Sequence, residues 1–382
     1  MRLQRFLLPR QRNHRRGKPL NLGLQGGGAH GAFTWGVLDV LLEQDHLSFD
    51  GVSGASAGAI NAVALAAGLL ENGADGARAK LAEVWEAIAA TVPAPLMPVP
   101  GLPNETMLGL VTRVVSPYQF NPFDYDPLRD ILTRTIDFAG LQRHCPVHLY
   151  IAATDIADGK PRIFTVEEIT RDVVLASTCL PHLRQAIRIG GRHYWDGGYS
   201  ANPPILPLVL DRDAADTLIV LIDPMEDMHL PTSASAITRR IGRLAFHAPL
   251  RREIELVERW RELAGDGFTL GSRRLKRLRQ HRFHLIEAGD ATAGLAPRQQ
   301  AGFRNGGCWK ACAMPGARRR KPGSTAMPTR SAPDRPSIWR RGSCDFVQPS
   351  LPTATAVSTM RLEKPHSLSY QLSTRTSLPS IT

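Results

Sequence analysis

The pentapeptide Gly54-Ala55-Ser56-Ala57-Gly58 constrains this chain more than any other stretch. Ser48 to Ser53, just before it, reads as a short buried strand. Ala59 to Ala67, just after it, reads as a small-residue helix ending near Gly68. A Gly-x-Ser-x-Gly run between a strand and a helix makes a sharp elbow. Its glycines let the chain turn tightly, so that the serine Oγ projects at a helix N-terminus. Taken alone, the run also suits a plain turn that packs helix on sheet.

Two other pieces give it meaning. Gly26-Gly27-Gly28 precedes it and can aim backbone N–H groups at an anion. Asp196-Gly197-Gly198 follows much later, after the strand-like His193-Tyr194-Trp195. A serine, backbone donors and a carboxylate are the parts of an acyl-transfer site. A carboxylate with an ordinary pKa near ~4 is a weak base toward a hydroxyl, so Asp196 would need a dry setting. A serine–aspartate–histidine triad in the order of the α/β-hydrolases would need a late histidine. His229, His247, His281 and His284 are available, none in a recognisable catalytic setting.

Gly26 to Gly31 also satisfies Gly-x-Gly-x-x-Gly, with Asp50 placed near where a ribose-binding acid would stand. A dinucleotide-binding module is therefore the rival reading. Three consecutive glycines exceed what a pyrophosphate turn needs, and that reading leaves the serine elbow and the Asp-Gly-Gly turn unexplained.

Along the rest of the chain, strand-like and helical stretches alternate, which argues for a layered α/β fold. Leu20–Leu24, Val147–Thr154, Arg162–Phe164, Leu218–Ile222 and Phe283–Ile286 read as strands. Gln185–Ile189 and His193–Trp195 flank Gly190-Gly191 as a hairpin. Ala32–Leu42 and Lys80–Ala90 read as helices, and 237–263 as a helical region interrupted at Pro249. Residues 91–125, rich in proline and apolar groups, read as a long loop or small cap.

Charge is unevenly spread over the 382 residues, whose formal net charge is +12. Residues 1–20 hold seven Lys/Arg and no acid, and 291–382 hold fourteen against three. The middle carries 26 against 32 and is mildly acidic. The expected organisation is a basic flexible N-terminus (1–19), a globular unit (20–290) and a disordered basic tail rich in Pro, Ser and Thr (291–382). The abrupt change near 290 is also what a shift of reading frame in the gene would produce. Basic ends suit solvated flanks or contact with an anionic membrane; no specific nucleic acid is expected. No apolar run is long enough to span a bilayer, and the start lacks the apolar core of a secretory signal. Five cysteines form neither a disulfide framework nor a metal-spaced set, so a reducing, cytoplasmic setting without a metal is expected.

In order and spacing, Gly26–Gly31, Gly54–Gly58 and Asp196–Gly198 resemble the three signature blocks of the patatin-like phospholipase family, bacterial type. The resemblance covers roughly residues 20–290. It implies a three-layer α/β/α fold with a mostly parallel central sheet, and lipid acyl hydrolase activity on lipid or phospholipid esters, without a cofactor. It implies Ser56 as nucleophile, Asp196 as general base, and Gly26, Gly27, Gly28 and Ala29 along an oxyanion loop. Asn202-Pro203 resembles the Asn-Pro often found after the aspartate turn. His30 is a departure, standing where many relatives carry Arg or Lys. An acyltransferase that passes the same acyl group to an alcohol is the alternative within this chemistry.

Overall fold

The computed structural model describes residues 17–91, 115–263, 273–288 and 357–358. A nine-stranded mixed sheet organises them. Its centre is parallel: β1 (Lys18–Leu24), β2 (Leu47–Ala55), β3 (His148–Asp155), β7 (Asp216–Leu221) and β8 (Arg282–Glu287). Two strands run against them, β4 (Pro161–Thr165) and β6 (Arg192–Asp196), and β5 (Ile187–Ile189) pairs antiparallel with β6. A two-residue strand, β9 (Val357–Ser358), pairs with β8 antiparallel.

Alternation along β7 shows that both faces are covered. Leu218 and Val220 join one apolar core, Ile219 and Leu221 the other. The first core packs under α1 (Gly31–Leu42), α2 (Ala57–Thr91), α4 (Pro127–Thr135), α5 (Phe138–His144) and α6 (Arg171–Ser177), after the single turn α3 (Pro117–Phe120). The second packs under α7 (Leu206–Asp211), α8 (Ala234–Leu263) and α9 (Arg273–Gln280). This is the expected three-layer arrangement with a mostly parallel sheet.

Two elements differ from the sequence reading. Gly68 does not end a helix: α2 runs on as two helical segments that meet at Asn72–Gly73. A Cβ on Gly68 would lie 2.4 Å from the carbonyl oxygen of Gly76, so this glycine lets the second segment cross the first. Nor does Pro249 interrupt α8, which continues through it. The missing N–H costs one helical hydrogen bond, but Leu250 and Val257, just after the proline, are held in the second core. The basic N-terminus (1–16), most of the 91–125 stretch and nearly all of the tail fall outside the described residues.

Candidate active site

Register brings the serine and the aspartate together. Strand β4 occupies one edge of β3 from Tyr150 to Thr154, so β2 and β6 share the other. Along that edge β2 runs up as far as Ala55 opposite Ala152, and β6 runs down as far as Asp196 opposite Ala153. The two strand ends meet head to head, with Ser56 just beyond one and Asp196 closing the other.

Ser56 sits in a left-handed backbone conformation, φ 54°, rare for a residue with a side chain and strained by about 1 kcal/mol or more. The surroundings impose it. A Cβ on Gly58 would lie 2.0 Å from the Leu24 carbonyl oxygen, so the start of α2 presses directly on β1. The Ser56 N–H is shared between the Ser177 carbonyl (3.1 Å) and the Ser177 hydroxyl (3.0 Å). Helix α2 begins one residue later, so its positive end lies beside the hydroxyl.

Asp196 is fully buried. Its backbone N–H donates to the Cys179 carbonyl (2.8 Å), and its carbonyl accepts from the Thr154 hydroxyl (2.7 Å). Carboxylate Oδ1 accepts from the Gly198 N–H (2.8 Å), whereas Oδ2 has no hydrogen-bond partner among the described residues. Burial pushes the carboxyl up to about 6, against the pull of the Ser56 hydroxyl, the Gly198 N–H and the Arg184 charge. The hydroxyl is thus close enough to act on the carboxyl, yet no full hydrogen bond joins them in this state. Arg184 is anchored beside the site on Asp126 (2.9 Å).

The four loop residues Gly26, Gly27, Gly28 and Ala29 are not equivalent. Gly26 touches the serine: a Cβ there would lie 2.5 Å from both Ser56 Cβ and the Ala55 carbonyl oxygen. Its N–H is already given to Asn202 Oδ1 (2.7 Å), so Gly26 supplies position and no free donor. Gly28 is exposed, with φ 61° in the left-handed region glycine favours, and it opens a single 3-10 turn, Gly28–His30. No hydrogen bond among the described residues engages the N–H of Gly27 or Gly28. His30 turns its Nδ1 back to the Gly27 carbonyl (3.2 Å).

Asn202 was not among the expected site residues. It is fully buried; besides holding Gly26 it donates from Nδ2 to the Phe246 carbonyl on α8 (3.3 Å). Ser177, which holds the elbow, was also missed. The signal for Asn202 was present in Asn202-Pro203, six residues after the aspartate; Ser177 had none.

The rival readings fare differently. Asp50 caps the N–H groups of Asp213 (2.9 Å) and Ala214 (3.0 Å), so it is not free to meet a ribose beside the glycine loop. His229 is exposed and pairs with Asp227, while His281 bonds Thr217 and His284 bonds Asp216. Buried His247 has neither ring nitrogen bonded among the described residues. None of the four is hydrogen-bonded to Ser56 or Asp196 among the described residues. No helix there is long and apolar enough to cross a membrane.

Comparison with known proteins bears on this site directly. No curated protein matches the chain. Among solved structures the chain is similar to VipD from Legionella pneumophila, at 16% identity and a TM-score of 0.35; the match covers 75% of this chain and 64% of that one. The family model described as patatin-like phospholipase matches residues 22–209, a span that contains Ser56, Asp196, the glycine loop and Asn202. Over those residues the chain carries a patatin-like phospholipase domain.

Proposed function

We propose that the protein hydrolyses carboxylic esters of lipids through a Ser56–Asp196 dyad, within a catalytic unit spanning roughly 20–290. The observation that carries this reading is the unpartnered, buried Oδ2 of Asp196 at the strand end facing Ser56. The Asp196 carboxylate takes the Ser56 hydroxyl proton as Oγ adds to the ester carbonyl. Charge develops on the carbonyl oxygen, where the N–H groups of Gly27 and Gly28, with Ala29 next in the same turn, receive it. Collapse expels the alcohol, which takes the proton back from Asp196 and leaves the acyl group on Ser56. Water, deprotonated by Asp196, then attacks the acyl-enzyme carbonyl, and Asp196 returns the proton to Ser56 Oγ as the fatty acid leaves. A base near 6 suits this work better than an ordinary carboxylate, since it accepts a proton more readily while staying ionised at neutral pH.

A fluorophosphonate probe should label wild-type protein on Ser56 and leave Ser56→Ala unlabelled. The same variant should lose activity on a p-nitrophenyl ester by about 10⁴-fold or more. It should keep its fold, since one oxygen leaves a turn already held by Ser177. Activity of Ser56→Ala within tenfold of wild type would sink the assignment.

A further inference from the structure

The segment after β7 leaves the sheet at the edge where Ser56 lies. It begins against the glycine loop, where a Cβ on Gly27 would strike the Ile222 side chain. Arginines from α8 then strap it down. Arg240 bonds the carbonyls of Asp227 (2.8 Å) and His229 (2.7 Å), Arg243 bonds the Asp227 carboxylate (2.9 Å), and Arg251 bonds the Met225 carbonyl (3.1 Å). A segment held this firmly nonetheless points Met228 and Leu230 into solvent, 93% and 85% exposed. On α8 itself, Ile237, Ile241 and Leu244 follow at helical spacing, and all three are exposed. The same helix buries His247 on the flank of that stripe and Leu250 on the far side. The apolar stripe that faces outward is thus additional to the one the fold consumes.

Charge says what would cover it. From Met228 to Arg252 there is no acidic residue, and the run carries five arginines, although residues 21–290 as a whole are net acidic. Arg239 lies exposed beside the stripe. An apolar row edged by arginine suits a helix lying in the head-group region of an anionic bilayer. The same helix reaches the site. Phe246 packs its ring on Gly198 and Tyr199, and its carbonyl accepts the Asn202 amide that also holds Gly26.

We infer that residues 222–231 and the first half of α8 form a docking surface for an anionic phospholipid membrane, set so that the bilayer meets the protein beside Ser56. This builds on the lipid-hydrolase reading, because it delivers the insoluble substrate to that serine. Contact at Ile241 and Leu244 bears on the helix that holds Asn202, so docking and the glycine loop share one rigid link.

The full-length chain tests this by sedimentation with sucrose-loaded vesicles of phosphatidylcholine, with and without phosphatidylglycerol. Wild type should partition to the anionic vesicles. The double variant Ile241→Asp, Leu244→Asp should bind them about tenfold or more weakly. The deficit should persist at high salt, where attraction through the chain's basic ends is screened. Met228→Asp, in the loop, should show a smaller loss in the same direction. Hydrolysis of a soluble short-chain ester should stay within about twofold of wild type in both variants. Equal vesicle binding by wild type and the variants would overturn the inference. So would self-association of wild type abolished in the double variant, which would assign the stripe to a second copy of the chain. If wild type fails on the soluble ester, the hydrolase reading falls while the vesicle result still stands by itself.

Discussion

The carboxyl of Asp196 is buried with one oxygen unpaired, and that has a cost that can be measured. A carboxyl whose folded pKa lies above its unfolded value stabilises the fold when protonated, fully so below about 4. The benefit is lost as pH rises through about 6. At pH 8 the ionised group therefore works against folding, by up to about 3 kcal/mol. Asp196→Asn keeps the shape and cannot ionise. It should be more stable than wild type to urea at pH 8, with the gain vanishing near pH 4, while ester hydrolysis is lost. In wild type, kcat/KM should climb through about pH 6 and level off above it. Asn202 acts at one remove, by fixing where Gly26 lies against Ser56. Asn202→Ala should lower kcat by about 10²-fold with KM little changed, the cost of a loop displaced by about an ångström. Equal losses in kcat for a soluble and a vesicle-bound ester would place the defect in chemistry. The candidates Ser56, Asp196 and the glycine loop stood out in the sequence because each lies in a short run whose local geometry its own glycines dictate. Ser177 did not, because it acts across 121 residues with no local mark, and Asn202 showed only as the Asn-Pro after the aspartate turn, with nothing to mark its bond to Gly26 across 176 residues.

At the scale of elements, strands were easier to read than helices. Buried strands are continuous apolar runs, and Gly190-Gly191, both at positive φ, marked the hairpin between β5 and β6. The short helices α4, α5, α6 and α7 passed unread. Three of them announce their starts: Asp126 caps α4 ahead of Pro127, Asp137 caps α5 and Thr170 caps α6. They are too short, however, to show a helical period. Gly68 misled in the other direction, since a glycine that permits close approach looks like one that stops a helix. Its replacement separates the two roles. Gly68→Leu would push a side chain into the Gly76–Ala77 backbone and should cost about 2–3 kcal/mol in urea unfolding. A mere stop position would tolerate it.

Across the whole molecule, the sheet order could not be read from the sequence, because parallel strands carry no mark of their neighbours. Its completion lies outside the family match: β7 and β8 follow residue 209, yet they close one side of the sheet. Asp216 ties that side together. Its buried carboxylate meets Lys18 (2.9 Å), Arg282 (2.7 Å on each oxygen) and His284 (2.9 Å), joining the first described strand to β8. Burial opposes its charge, but those three donors outweigh it and hold the carboxyl well below the usual carboxylate range. Asp216→Ala strands Lys18 and Arg282 and removes the partner of His284, and should cost about 2–3 kcal/mol by urea unfolding, less than a fully dry pair because Lys18 and Arg282 stay half exposed. Activity at low temperature should survive, since the cluster sits at the end of β7 away from Ser56. The hydrogen bond between Gly26 and Asn202 has a consequence in time as well as in space. During synthesis the serine elbow emerges early, but the residue that sets the glycine loop follows it by nearly 150 positions, and the helix that steadies that residue comes later still. A nascent chain therefore carries the serine elbow well before the contacts that set the loop against it, and a product cut short before α8 should hydrolyse esters more slowly than the full chain.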